Sequence, residues 1–84
     1  MTRFDVGEII VEEGLDSYSF FEDRADAENE IVIKTKDGEW TIYITDERAS
    51  MITGSKETFD NEEDALVSFV KRLRGLNYIR KNFN

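Results

Sequence analysis

The 84-residue sequence predicts an α+β domain: an antiparallel β-meander of three to four strands, a C-terminal amphipathic helix packed on one face, and a short N-terminal helix. Three observations carry this. Residues 30–45 spell out a β-hairpin, with β-branched and aromatic runs on either side of Asp37-Gly38. Leu66, Phe69, Val70 and Leu73 stand at i, i+3, i+4, i+7 spacing, the stripe of a helix that buries one side. Tyr18 and Phe20 alternate with Ser17 and Ser19, the period of a half-buried strand.

Asp5 and Glu8 have the spacing of a capping box. Asp5 is therefore expected to cap a helix over Val6–Glu13, with Phe4 and Ile9 as its hydrophobic staple and Gly14 as its left-handed stop. The β-branched run Ile9-Ile10-Val11 makes a strand the rival reading. Leu15–Glu22 reads as the first strand and the acidic stretch Asp23–Asn29 as a loop. In the hairpin, Asp37 and Gly38 both tolerate the positive φ of a type I′ loop. That loop places Lys36 opposite Glu39, Thr35 opposite Trp40, Ile33 opposite Ile42 and Ile31 opposite Ile44. One face is then apolar on both strands, and a slip of one residue would expose every isoleucine on it. Lys34–Thr41 and Val32–Tyr43 share the other, mixed face.

Asp46-Glu47-Arg48 suits a turn, Ala49–Thr53 a further short strand, and Gly54-Ser55-Lys56 a bend or bulge. Glu57–Phe59 is either the end of that strand or the approach to the last helix. Asp60 or Asn61 caps this helix, whose first turn is acidic and whose last turn holds Lys71, Arg72 and Arg74, as the helix dipole favours. Gly75 is the expected stop. The chain thus divides into a single domain, 1–75, and a basic, aromatic tail, 76–84.

The chain lacks cysteine, histidine and proline. A disulfide framework, a thiolate metal site and a histidine general base are all excluded, and a reducing, cytoplasmic setting is expected. No basic, apolar leader opens the sequence, and no apolar run is long enough to span a bilayer. The net charge of −8 is unevenly placed. Residues 1–70 carry nineteen acids and six bases, whereas residues 71–84 carry five bases and no acid. An acidic body repels nucleic acid and steers toward basic partners, and five bases beside it are a weak footprint for nucleic-acid binding.

No residue pattern points to catalysis. Glu12/Glu13, Glu22/Asp23 and Glu62/Glu63/Asp64 sit in loops or at helix ends, without the cleft and apolar pocket that acid–base pairs need. Asp26, Glu28 and Glu30 have the alternate spacing of a calcium loop. Ile31 stands where that loop requires glycine and Asp37 where it requires glutamate, so no metal is expected. Gly54-Ser55-Lys56 ends like a phosphate loop, but Ala49 occupies the position of its first glycine. With no cofactor and no enzyme chemistry, the candidate contacts are those of a protein partner: Glu12, Glu13, Glu22, Asp23, Asp26, Glu28 and Tyr43. Trp40 lies on the apolar face and reads as core. Tyr43 lies on the other face, for which the helix over Val6–Glu13 is the candidate cover.

The layout behind the short N-terminal helix combines three motifs. They are Leu15-Asp16-Ser17-Tyr18-Ser19, the Asp-Gly-Glu-Trp-x-Ile-Tyr hairpin of Asp37–Tyr43, and Thr58–Ala65 leading into the amphipathic helix. Over residues 5–74 this layout resembles the small acidic immunity proteins of bacterial polymorphic toxin systems, and among them the immunity protein 59 family. The resemblance implies a cytoplasmic, non-enzymatic antidote that binds one toxin domain and blocks it sterically, with no shared binding residues to carry over. The acidic surface would then cover a basic, nuclease-type active site. The alternative is a phage-encoded DNA mimic, such as an anti-CRISPR or anti-restriction protein, whose carboxylates stand in for phosphates. On either reading the partner is a protein, a basic toxin domain or a nucleic-acid-processing enzyme. Direct nucleic-acid and membrane binding are not expected, and the chain is a monomer or a weak homodimer.

Overall fold

The computed structural model describes residues 1–83; Asn84, the last residue of the expected tail, lies outside them. The elements are α1 (Arg3–Glu13), β1 (Tyr18–Phe20), β2 (Ile31–Lys36), β3 (Glu39–Ile44), β4 (Glu57–Phe59) and α2 (Glu62–Phe83). The strands form one sheet in the order β1-β2-β3-β4. The hairpin has the register its turn chemistry predicts, Ile31 opposite Ile44 through Lys36 opposite Glu39. Asp37 and Gly38 take φ of 53° and 75°, as a type I′ loop requires.

β4 extends the meander antiparallel to β3. β1 does not: it runs parallel to β2, with Tyr18 opposite Ile31 and Phe20 opposite Ile33. The sheet is therefore mixed, and the wholly antiparallel meander is corrected at its first pairing. Parallel neighbours ordinarily need a crossover of a dozen or more residues. Here the strand is only three residues long, so residues 21–30 suffice to bring the chain back. Left-handed backbone at Ser17 (φ 66°) and Phe21 (φ 54°) turns the chain into and out of β1.

One apolar cluster holds the layers together. Ile31, Ile33 and Ile42 of the sheet are buried with Ala65, Leu66, Phe69, Val70 and Leu73 of α2, the helical stripe read from the spacing. Val6 and Ile10 of α1 join the same cluster. Helix α1 therefore packs on the core side of the sheet and does not cover the Val32–Tyr43 face. That face is covered by the 23–29 segment. The Tyr43 hydroxyl donates to Asp26 Oδ2 at 2.6 Å, and the Thr45 hydroxyl donates to the Ala27 carbonyl at 2.8 Å. The Glu30 N–H donates to Thr45 Oγ1 at 2.9 Å, and Val32 is fully buried.

Three local expectations are also corrected. Thr2, not Asp5, caps α1: its hydroxyl accepts from the Asp5 N–H, and its own N–H donates to the Asp5 carboxylate, a complete capping box. Phe4 consequently lies inside the helix and is 73% exposed rather than stapled. Ala49–Thr53 forms no strand, only a bridge between Thr45 and Met51. Left-handed Ala49 (φ 62°) and Gly54 (φ 86°) bend the chain away at both ends, and pairing resumes at Glu57. Finally, Gly75 does not stop α2, which continues to Phe83. Side chains beyond Gly75 hold the extension down. Asn77 exchanges hydrogen bonds of 3.0 Å with the Asp16 N–H and carbonyl, and Arg80 donates to the Ser17 hydroxyl. At the other end Asn61 caps α2, accepting from the Asp64 N–H at 2.9 Å.

Candidate functional site

The structure disperses the seven candidate contact residues over two sides of the sheet. Glu12 and Glu13 sit at the end of α1, on the core side. Glu22, Asp23, Asp26 and Glu28 belong to the segment joining β1 to β2, and Tyr43 lies beneath it. Asp26 and Tyr43 are joined by a hydrogen bond.

Several of these acids already hold a cation of the same chain. Arg74 grips Glu13, with Nε at 2.9 Å from Oε1, and this hydrogen bond holds the carboxyl below its ordinary 4.5. Arg24 does the same for Glu22 at 2.9 Å, helped by the Phe20 N–H. Lys34 lies 3.2 Å from Asp26 Oδ1 and reaches over the Tyr43 ring. Burial is the main cause raising the Tyr43 phenol above its usual value, with the neighbouring Asp26 adding to it. Glu12, Asp23 and Glu28 are exposed and, among the described residues, form no ion pair.

The same pairing closes one sheet edge. The Phe20 N–H on the outer side of β1 donates to Glu22 Oε2 at 3.1 Å, and the Tyr18 carbonyl accepts from Arg24 at 3.3 Å. An added strand would find these groups occupied. Arg24 also makes a bidentate contact with Glu30, 4% exposed, whose carboxylate additionally accepts the Ala27 N–H at 3.0 Å. The guanidinium's affinity for its proton is raised by Glu30 first and Glu22 second. Trp40 is spent in a similar way: its indole N–H and Arg3 both donate to Glu62, whose carboxyl is lowered chiefly by Arg3.

An open depression lies between residues 13–16 and the far half of α2. It mixes Glu13 and Asp16 with Arg74, Arg80 and Lys81, and is open to solvent. Among the described residues no three acids gather into a group that could hold a metal ion, and no helix is long and apolar enough to cross a membrane.

One surface was missed by the sequence reading. Phe4, Gly7, Glu8, Val11 and Glu12 line a shallow depression on the outside of α1. Its signal was Thr2. Starting the helix at Thr2-x-x-Asp5 places Phe4 and Val11 on the side opposite Val6 and Ile10.

An open, mostly acidic surface does not by itself name a family. A family model described as immunity protein 59 matches residues 2–82. The chain belongs to the immunity protein 59 family. Comparison with curated proteins and with solved structures returned no match. The match extends past Gly75 into the far half of α2. As an immunity protein of toxin systems, the chain has a toxin protein as its partner.

Proposed function

We propose that this immunity protein is a non-enzymatic inhibitor whose acidic surface covers the basic active site of a nuclease-type toxin domain. The family match carries the inhibitor role. The charge distribution supports the basic partner: Arg3, Arg24, Lys34, Arg72, Arg74 and Arg80 are all held in ion pairs, while Glu8, Glu12, Asp23, Glu28 and Glu63 are exposed without one among the described residues. Among the described residues, ten exposed acids lie outside any ion pair against five exposed bases (Lys36, Arg48, Lys56, Lys71 and Lys81), so the unpaired surface charge is mostly acidic. Contacts through Glu12, Asp23 and Glu28 cost the fold nothing, whereas Glu13, Glu22, Asp26 and Tyr43 would have to share or exchange an internal partner.

The test is the association rate with the toxin domain encoded beside this gene, measured at rising salt. Electrostatic steering predicts a rate that falls steeply as salt screens the field. An unchanged rate overturns the charge-based account. Failure to bind, or capture from the native host of a nucleic-acid-processing phage-defence enzyme instead, overturns the toxin reading in favour of the DNA mimic.

A further inference from the structure

We infer that the toxin domain docks on the outer face of α1, over Phe4, Gly7 and Val11, with Glu8 and Glu12 receiving its basic residues. This rests on the inhibitor reading above and adds where the partner sits. Helix α1 is apolar on both sides. Val6 and Ile10 face the core at 0% and 9% exposure, while Phe4 and Val11 face outward at 73% and 80%. The two outward side chains are seven residues apart, about 10 Å along the axis. Gly7 lies between them on the same face, with nothing within 4 Å of where a Cβ would stand. The result is two apolar walls with bare backbone as the floor between them, a shape that admits a side chain from outside.

The charge beside this groove selects the occupant. Glu8 and Glu12 are one turn apart at its rim, both exposed and neither in an ion pair among the described residues. A second copy of this chain, docked face to face about a twofold axis, would set these two acids against their own counterparts. No base on this face relieves them, because Arg3 is committed to Glu62 and to the Phe21 ring. Like charges in apposition oppose that dimer. The fitting partner presents an apolar side chain flanked by lysine or arginine, which a basic toxin surface supplies. An exposed phenylalanine at the centre of such a contact is the kind of anchor that dominates binding energy. By contrast, the outer edge of β1 is closed by Glu22 and Arg24.

The experiment measures the dissociation constant of the full-length protein for the toxin domain encoded beside its gene. Phe4→Ala should weaken binding by about 30-fold or more, the loss expected of an anchor residue. Glu8→Lys combined with Glu12→Lys should slow association and flatten its salt dependence. Gly7→Ala should weaken binding by filling the groove. Val67→Ala and Gly75→Ala are matched controls, an exposed valine (52%) and a second helix glycine with open space around it, both on α2. They should bind within about twofold of the wild type. Because Phe4 and Glu8 are exposed, unchanged circular dichroism and urea midpoints will separate lost contact from lost fold. If the wild type binds and the α1 variants bind equally well, the docking face is refuted and the inhibitor reading survives. If the wild type does not bind, both fall. Sedimentation showing a dimer of the free protein that Phe4→Ala dissociates, with toxin binding unchanged, assigns the face to a second copy and also overturns the proposal.

Discussion

Replacing Gly7 by alanine should make the free protein more stable. Gly7 lies in the interior of α1, and an added Cβ would have open space around it. Nothing in the packing therefore opposes the gain in helix propensity, about 0.8–1.0 kcal/mol for glycine to alanine. At about 2.1 cal/mol/K per residue, an 84-residue chain has an unfolding entropy near 180 cal/mol/K. The melting temperature should then rise by about 5 °C. Thermal melts followed at a helix wavelength, with urea titrations to confirm an unchanged slope, read this directly. Gly75→Ala should give a similar rise, since α2 runs through it and the space around it is also open. A melting temperature that falls or stays level for Gly7→Ala would refute the geometry, because it would mean that the site is crowded or that its backbone is not helical. Paired with the binding measurement, the variant separates two demands on one residue: it should strengthen the fold while weakening the complex.

Two further outcomes follow from the core and the charges. Thr45→Val keeps the shape of a side chain that is 2% exposed but strips the hydroxyl that accepts the Glu30 N–H and donates to the Ala27 carbonyl. Leaving the buried Glu30 N–H unpaired should cost about 1–3 kcal/mol, or roughly 6–17 °C in melting temperature. A loss below about 2 °C would show that the 23–29 segment is not anchored there. The pH dependence follows from Glu13, Glu22 and Glu62, whose carboxyls are lowered in the fold from 4.5 by Arg74, Arg24 and Arg3. A carboxyl lowered by folding stabilises fully above its unfolded value, and that contribution is lost as pH falls through the folded value. The urea midpoint should therefore hold level from about pH 7 to 5 and drop below about 4.5. A midpoint that keeps rising down to about pH 3, as relief of acidic self-repulsion alone would produce, contradicts the pairing.

The elements legible from sequence are those whose instructions are local. Two adjacent residues tolerant of positive φ set the whole β2–β3 register, because a turn type leaves one pairing open. Leu66, Phe69, Val70 and Leu73 are buried as their spacing requires, since a 3.6-residue period presents one face to the core whatever that core contains. Where local signals competed, position alone could not rank them. Asp5 reads as the cap of α1 from its spacing to Glu8, but Thr2 caps it, and the shift of one turn moves Phe4 from a staple to solvent. A glycine that reads as a stop at position 75 was overruled by contacts from Asn77 and Arg80 to residues some sixty positions earlier.

Composition and charge pointed to an acidic surface that favours basic partners, and the resemblance to an immunity protein family implied the antidote role, but which acids stay available was a tertiary matter. Glu13 meets Arg74, Arg3 meets Glu62 and Asp16 meets Asn77 across separations of 59 to 61 residues. No propensity or spacing rule reaches that far. The same holds for the parallel placement of β1 and for the 23–29 segment folding over Tyr43. The sequence by itself determined the hairpin, the stripe of α2 and the sign of the surface. Tertiary packing decided which side of α1 is free: burying Val6 and Ile10 in the core shared with α2 leaves a rigid helix no choice but to turn Phe4 and Val11 toward solvent.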